Sequence, residues 1–245
     1  MIDLQTIYQN DTFKEKIKIF KQKKEWNIFQ EPFLQVTNNK CPYCEVNLPQ
    51  NIDGRDMTST IDHYRPQEYY PTLKKVYQNY ILMCSDCNNA YKGNEFLIYK
   101  NNNIHKIEQQ VTDKNEIKDE KTLIVNPIKD NIFDIFILKF RFTNKGKILE
   151  LYPKYSKSDN SYLYIKAKET INLFALGDCD KFDNSKEYNR CRVTLLKQHF
   201  NLFYDFIEAL IEKNKEKAYQ IMQDKNLHKY GFIEFFKKNQ FQVDI

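Results

Sequence analysis

Two Cys-x-x-Cys pairs constrain this chain of 245 residues more than any other feature of its sequence. Cys41 and Cys44 form the first pair, Cys84 and Cys87 form the second, and 39 residues separate them. Four thiolates presented from two tight turns are the ligand set of a closed tetrahedral zinc site. We therefore expect these four cysteines to hold a structural Zn²⁺, which stabilises a small segment and does no chemistry.

The other two cysteines, Cys179 and Cys191, lie far downstream without ligand-like spacing, and we interpret them as small buried apolar residues. The first residues, Met-Ile-Asp-Leu-Gln, do not have the charged start and apolar stretch of a secretory signal. No apolar run approaches the ~20 residues that a membrane-spanning helix needs. We therefore expect a cytoplasmic protein without membrane contact, whose thiols stay reduced.

Composition and charge exclude some classes of protein and leave others open. Hydrophobic residues make up 41% of the chain, with 18 Phe and 17 Tyr, so there is enough apolar material for a core. The formal net charge of +5 permits a polyanionic partner but does not require one. A run of lysines at 14–24 is either a solvated helix face or a set of phosphate contacts.

The periodicity of apolar residues predicts an α+β fold. It indicates helices at 11–30, at 162–176, from about 189 to 222 and around 233–236, and a β-hairpin over 136–152 around Asn144-Lys145-Gly146. The polar stretch 100–122 is typical of an exposed, irregular connection. We expect three units: an N-terminal helical segment at 1–40, a zinc-bearing unit at 41–98, and an α-rich C-terminal region with the hairpin at 123–245.

A further set of polar residues lies between and around the two cysteine pairs. Asp62 and His63 are adjacent, Asn79 comes five residues before Cys84, and Asn88 directly follows Cys87. Lys92 and Gly93 complete the pattern C-x2-C … D-H-x-x-P … N-x4-C-x2-C-N-x3-K-G. An Asp-His pair alone is a weak signal, but in this context it indicates a built site.

The residue types suggest a metal site beside a proton acceptor. Asp62 supplies a hard oxygen ligand suited to Mg²⁺ or Mn²⁺, and the carbonyl oxygen of Asn88 is the second candidate ligand. Asn89 is a rival for that role, and Asn88 could instead only cap a helix. Strand alternation sends the Asp62 and His63 side chains to opposite faces unless a bulge or a strand end intervenes. Histidine titrates near neutral pH, so His63 is the candidate general base.

Three more residues receive supporting roles. Asn79 is expected to bond backbone groups across the loop between two strands and so to fix the geometry of His63. Arg65 and Lys92 are candidate phosphate contacts. Arg65 could instead pair with a carboxylate, and Lys92 could be a plain solvated charge. Asp62 and His63 could also have purely structural roles, Asp62 in a turn or as a helix cap and His63 as a core residue.

This pattern resembles the Cys-flanked branch of the HNH endonucleases over residues 41–96. The resemblance implies a ββα-metal finger with structural zinc, embedded in a mainly α-helical domain with a β-hairpin. It also implies metal-dependent hydrolysis of phosphodiester bonds that leaves 5′-phosphate and 3′-hydroxyl ends. DNA is the favoured substrate, and RNA, including tRNA, stays open. The last position of the motif is an asparagine, Asn88, and not a histidine. Other members of the superfamily also have asparagine at this position.

The residues around the finger are similar to a narrower family, the HNH subunit of Septu anti-phage defence systems, which also occurs as a retron-associated HNH endonuclease. The similarity lies in residues 41–45 (Cys-Pro-Tyr-Cys-Glu), 61–66 (Ile-Asp-His-Tyr-Arg-Pro) and 79–84 (Asn-Tyr-Ile-Leu-Met-Cys). Looser similarity at 123–127, 140–148 and 169–173 extends it over about 26–192. This resemblance implies an ABC-type ATPase subunit as a partner.

Two other classes of function compete with a nuclease. A four-cysteine zinc finger can be a non-catalytic module that binds nucleic acid or a protein, and a scaffold subunit can carry a decayed site. A binding module has no need of a water-activating histidine beside a hard ligand. The complete set of Asp62, His63, Asn79 and Asn88 therefore favours an enzyme.

Overall fold

The computed structural model describes residues 1–52, 55–143, 146–176, 201–225, 227 and 230–244. Its helices are α1 (Asp11–Lys23), α2 (Gln30–Val36), a π-helix that we call the finger helix (Asp86–Lys92), α3 (Lys114–Asp119), α4 (Ile132–Ile135), α5 (Ser161–Phe174), α6 (Asn201–Ile211), α7 (Lys215–Met222) and α8 (Phe232–Lys237). Its strands are β1 (Gln50–Ile52), β2 (Arg55–Met57), β3 (Ser59–His63), β4 (Tyr80–Cys84), β5 (Leu97–Lys100), β6 (Asn103–Lys106), β7 (Lys121–Thr122), β8 (Phe136–Thr143), β9 (Gly146–Pro153) and β10 (Phe241–Asp244). Cys179, Cys191, His199, His228 and the predicted helix start at 189–200 lie outside the described residues.

A ββα finger forms the part of the fold that carries the site. Strands β3 and β4 pair antiparallel from Ser59 with Cys84 to His63 with Tyr80, and the finger helix follows almost at once. All five residues of β4 are buried, because the strand lies between β3 and the packed N-terminal helices. The predicted α+β class, with a ββα finger and a cysteine cluster, is confirmed.

The N-terminal segment folds as two helices rather than as the single helix predicted for 11–30. Asn10 caps α1 by accepting from the Phe13 amide, and the helix ends where Lys24 takes a left-handed φ of 59°. Phe13 and Phe20 are buried as expected, but Ile19 is 39% exposed. The left-handed residue reverses the chain, so that the following 3-10 turn and α2 can pack against the finger.

The connection at 100–122 is more ordered than its composition indicated. Strands β6, β5 and β7 form a three-stranded sheet within and beside it. Helix α3 is capped by Asp113 and anchored by the buried side chain of Ile117. The expectation of an irregular segment was wrong because these elements are too short to give a periodic signal and depend on pairing with β5.

The C-terminal region contains the predicted hairpin of β8 and β9, whose register brings Thr143 opposite Gly146. Helix α5 and the terminal helix α8 also lie where they were predicted. The described part of the predicted long helix is broken, because Lys213 has a φ of 57° and Asn214 caps α7. Strand β10, which pairs parallel to β8, was not predicted.

Aromatic contacts join the three predicted units into one core. Phe20 of α1 packs edge-on against Tyr80 of the finger. The ring centroid of Tyr43, which lies between Cys41 and Cys44, is 4.3 Å from that of Phe174 in α5. The Tyr43 hydroxyl donates to the Val125 carbonyl at 3.0 Å. Burial raises the pKa of Tyr43, so that its hydroxyl stays a donor. Among the described residues, no helix has both the length and the apolar character to span a membrane.

Candidate active site and zinc centre

The four-cysteine cluster is built from two turns that meet at the base of the finger. In the first turn, the Cys41 amide donates to the Val46 carbonyl at 2.9 Å, and the Glu45 amide donates to the Cys41 carbonyl at 2.8 Å. In the second, at the end of β4, the Cys87 amide donates to the Cys84 sulfur at 3.3 Å. These bonds aim all the sulfurs at one buried point.

The spacing of the four sulfurs fits a metal centre and not disulfides. Cys41 Sγ lies 3.7 Å from Cys87 Sγ, and Cys44 Sγ lies 3.7 Å from Cys84 Sγ. A disulfide needs about 2.05 Å. Four sulfurs at about 2.3 Å from a tetrahedral zinc are about 3.8 Å apart. The four ligand atoms all lie within 4.8 Å of one another and are buried, so the cluster fits the predicted Zn²⁺.

His63 stands at the end of β3 with its ring orientation fixed. Its Nε2 lies 3.0 Å from the carbonyl oxygen of Lys74, which also accepts a 2.8 Å hydrogen bond from the Tyr80 hydroxyl. Since a carbonyl can only accept, Nε2 carries the ring proton in the neutral imidazole, and Nδ1 keeps its lone pair. His63 Nδ1 makes no hydrogen bond to the described residues and is therefore the atom that can take a proton.

Asp62 lies on the opposite face of β3 from His63, as strand alternation predicts. Its Oδ2 is 2.7 Å from Lys92 Nζ, in an ion pair whose lysine side chain is fully buried and whose aspartate side chain is 14% exposed. Lys92 Nζ also donates to the His63 carbonyl at 3.0 Å. Lys92 therefore ties the carboxylate and the end of β3 to the finger helix. A phosphate contact or a solvated charge, the two roles considered for Lys92, does not match this buried position.

Asn88 faces the same side of β3 as Asp62. Its Nδ2 donates to the Thr60 hydroxyl at 3.1 Å, and Thr60 is two residues before Asp62 on the strand. Asn88 is the third residue of the finger helix, after the N-cap Ser85, so it does not have the capping role considered as an alternative. Its neighbour Asn89 is exposed, away from the strand.

The residues present fit a hard divalent cation. With its amide nitrogen on Thr60, Asn88 leaves its Oδ1 as an acceptor, and Asp62 keeps its Oδ1 without a hydrogen bond to the described residues. One carboxylate and one amide oxygen from facing elements are the kind of donors that Mg²⁺ or Mn²⁺ takes while it keeps several waters. Asp62 and Asn88 are the residues that would hold such an ion.

Asn79 ties the loop that follows β3 to the start of β4. Its Oδ1 accepts from the Arg65 amide at 2.9 Å, and its Nδ2 donates to the Arg65 carbonyl at 2.9 Å. The Asn79 carbonyl also accepts from the Tyr64 amide at 2.7 Å. These are the cross-loop backbone bonds expected of Asn79, and they fix the chain one residue after His63.

Arg65 is engaged inside the protein. Its Nε donates to Glu120 Oε2 at 3.0 Å, and its Nη2 donates to the Ile117 carbonyl at 3.0 Å. The side chains of Arg65 and Glu120 are 10% and 4% exposed. The carboxylate partner, which the sequence left open as an alternative, is therefore what the structure contains, and the guanidinium is not placed to contact a phosphate.

Sequence reasoning missed several groups that support the site. They are the Lys74 carbonyl and the Tyr80 hydroxyl that orient His63, the Thr60 hydroxyl on Asn88, and Glu120 on Arg65. Two lysines of the run at 14–24 also have carboxylate partners, since Lys14 pairs with Asp11 and Lys16 with Glu31, both at 2.8 Å. Of the other histidines, His105 is exposed on β6 and lies outside this site.

Comparison with known proteins agrees with this geometry. The family model of the HNH endonucleases matches residues 41–95. The chain is 34% identical over 55 residues to the Septu protein PtuB of Bacillus thuringiensis. This stretch is 22% of the chain and 20% of that protein, so it spans about a fifth of the relative's length. No solved structure matches the chain.

The predicted resemblance is confirmed for the finger. The matched segment contains both cysteine pairs, the strands β3 and β4, the finger helix, and Asp62, His63, Asn79 and Asn88. Its order of elements and its cysteine cluster are those that the motif implied. Residues 41–95 of this chain therefore match the HNH endonucleases both in sequence and in the order of their elements.

Proposed function

We propose that this protein is a metal-dependent nuclease that hydrolyses phosphodiester bonds, with DNA as the favoured substrate and RNA, including tRNA, as the second. The observation that carries the proposal is the orientation of His63. Its Nε2 is held by the Lys74 carbonyl, which leaves Nδ1 as a proton acceptor, while Asp62 and Asn88 present their oxygen donors on the other face of β3. A zinc finger that only binds has no use for this arrangement.

In this proposal His63 acts as general base. Nδ1 accepts a proton from a water, whose oxygen attacks the phosphorus, and the bond to the 3′ oxygen breaks on the opposite side. In the imidazolium that forms, Nε2–H still donates to the Lys74 carbonyl, and this hydrogen bond stabilises the positive ring. A divalent cation held by Asp62 and Asn88 would stabilise the charge that develops on the phosphate and the leaving oxygen. The leaving 3′ oxygen takes a proton from solvent, so the products are a 5′-phosphate and a 3′-hydroxyl.

The zinc centre has a different role from the catalytic ion. Four sulfurs fill a tetrahedral coordination shell, so no position is left for water or substrate. We propose that this Zn²⁺ fixes the first cysteine turn to the end of β4 and so holds the finger helix, with Asn88, against β3. Cysteines that bind zinc rather than form disulfides are typical of the reducing cytoplasm, and we therefore propose a cytoplasmic location.

We further propose that the nuclease works in an anti-phage defence complex with an ABC-type ATPase subunit. The similarity to the Septu protein PtuB supports this assignment. The ATPase would assemble with the nuclease and restrain or license its activity. A non-catalytic zinc-finger module is the alternative function, and it predicts binding without cleavage.

The test is a nuclease assay on plasmid DNA and on total RNA with Mg²⁺ or Mn²⁺, with and without the proposed ATPase partner. Cleavage that stops in Asp62→Ala and in Asn88→Ala supports the proposal. Binding without cleavage under all these conditions would favour the non-catalytic module. Cleavage of RNA but not of DNA would replace the favoured substrate by the second one.

A further inference from the structure

Trp26 is an exposed aromatic residue beside the candidate general base. It is the only tryptophan of the chain, and 44% of it is exposed. Its ring centroid lies 6.1 Å from that of His63, and the two ring planes are inclined by 57°. Neither the proposed mechanism nor the zinc centre uses it.

The backbone that carries Trp26 is tied to both strands of the finger. Its carbonyl accepts from the Phe29 amide at 3.2 Å, and Phe29 is fully buried against Tyr80 of β4. One residue further on, Gln30 donates to the Ser59 carbonyl of β3 at 3.3 Å. The backbone after Trp26 therefore holds the indole beside His63, while a large part of the indole surface faces solvent.

Exposed lysines lie in the chain just before Trp26 and in the loop that orients His63. Lys21, Lys23 and Lys24, at the end of α1, are exposed just before Trp26, with Glu25 as the acidic residue among them. Lys74 and Lys75 are exposed in the loop whose carbonyl orients His63. An aromatic ring set among surface cations is the arrangement by which proteins bind single-stranded nucleic acid, through stacked bases and backbone phosphates.

We propose that Trp26 stacks on the base next to the scissile phosphate, and that the substrate is single-stranded or locally unpaired at that position. The inference rests on the proposed nuclease function and names its substrate class. A base lies one sugar away from its phosphate, so a phosphate facing His63 brings a neighbouring base within reach of a ring 6.1 Å from the imidazole. In a regular duplex the base faces are covered by their neighbours and cannot stack on a side chain.

The experiment measures binding of short oligonucleotides to the full chain that carries Asn88→Ala, so that the strand is not cut. Three probes are compared: a single strand, the duplex of the same sequence, and the single strand with one abasic nucleotide. Because Trp26 is the only tryptophan, its fluorescence reports stacking directly, and labelled probes give the affinity of variants that lack it. The variants are Trp26→Ala and Trp26→Phe, with Tyr219→Ala as the control, since Tyr219 is 68% exposed on α7.

The single strand should quench the tryptophan and bind more tightly than the duplex. Trp26→Ala should weaken single-strand binding roughly tenfold, whereas Trp26→Phe and Tyr219→Ala should stay close to the parent. The parent protein should bind the abasic strand more weakly than the intact strand. The Trp26→Ala variant should bind the two strands with equal affinity. Unchanged affinity in Trp26→Ala, or equal binding of strand and duplex, would overturn the inference.

A parallel cleavage assay with Trp26 variants that retain Asn88 separates this inference from the proposed function. If the wild-type protein cuts the single strand and Trp26→Ala cuts it equally well, only the stacking role fails. If the strand binds and quenches Trp26 but no divalent ion supports cutting by the wild-type protein, the nuclease function fails while the stacking contact stands.

Discussion

The ion pair between Asp62 and Lys92 places a full positive charge inside the finger. Lys92 has no exposed side-chain surface. Its ammonium forms the ion pair with the carboxylate and donates to the carbonyl oxygens of His63 at 3.0 Å and of Gly93 at 3.5 Å. A buried lysine is costly unless it is paired and hydrogen-bonded, and this one is both. It therefore holds the carboxylate of Asp62 in one orientation, with Oδ1 left for a cation.

Replacement of Lys92 by Met should destabilise the protein strongly, because the carboxylate of Asp62 loses its only ion pair among the described residues. Removal of one partner of a buried pair costs about 3–5 kcal/mol. Urea unfolding with and without Mg²⁺ measures the free energy of unfolding of the variant and of the wild type. Lys14→Met is the control, since Lys14 and Asp11 are 52% and 93% exposed and water screens their ion pair. A cost for Lys92→Met as small as that of Lys14→Met would contradict this account.

At the scale of elements, the loop between β3 and β4 determines where His63 lies. This loop runs from Tyr64 to Asn79 and is tied at its two ends by the paired bonds between Asn79 and the backbone of Arg65. Its middle supplies the Lys74 carbonyl for the imidazole. The loop thus fixes the base through one side-chain amide and one carbonyl.

Substitution of Asn79 by Ala should loosen this loop. Two buried backbone groups of Arg65 lose their partner, at about 1–3 kcal/mol each, so we expect a loss of about 2–6 kcal/mol and slower cleavage. Thermal unfolding and single-turnover cleavage on the same sample give both quantities. Asn94→Ala serves as the control, because the Asn94 side chain bonds Glu68 at the surface. Full activity and stability in Asn79→Ala would exclude the proposed positioning role.

Local signals explain which elements could be predicted. The hairpin of β8 and β9 was predicted because alternation and a turn signal lie within one stretch of sequence, and α5 because its apolar positions repeat at helical spacing. The sheet of β6, β5 and β7 and strand β10 could not be predicted, since strands of two to four residues gain their stability from partners elsewhere. The break at Lys213 also depends on packing that no periodicity records.

The candidate site divides in the same way. The motif pattern, together with its resemblance to the HNH endonucleases, indicated the four cysteines, Asp62, His63, Asn79 and Asn88 as candidate site residues. It did not predict the burial of Arg65, because its partner Glu120 lies 55 residues away, next to a helix that the sequence did not indicate. The position of Trp26 beside His63 is likewise set by the left-handed turn at Lys24, which composition does not reveal.

For the whole molecule, the four-cysteine cluster, with the Zn²⁺ that we propose for it, connects the parts that surround the site. Cys41 and Cys44 belong to a turn whose Glu45 accepts a 2.8 Å hydrogen bond from the Gly231 amide, close to α8. Cys84 and Cys87 belong to the finger. Loss of the metal should therefore release the finger from both the first turn and the C-terminal region.

Cys84→Ser should abolish tight zinc binding and unfold the finger rather than merely slow cleavage. Structural zinc contributes about 10–16 kcal/mol of apparent binding free energy in small zinc-dependent folds, which exceeds the stability of the segment itself. Elemental analysis should find one zinc per chain in the wild type and in Cys179→Ser, which lies outside the ligand set, and none in Cys84→Ser. Absence of zinc in the wild type, or a normal melting curve for Cys84→Ser, would refute the assignment.

The most direct test of the nuclease assignment is the single-turnover cleavage rate of His63→Ala against that of the wild type. Both proteins are compared at the same Mg²⁺ or Mn²⁺ concentration, with equal zinc content and equal unfolding curves. A general base contributes about 10²- to 10⁴-fold to rate, so we predict a loss of that size with divalent-metal binding retained. A folded, zinc-loaded His63→Ala protein that cleaves at the wild-type rate would contradict the account.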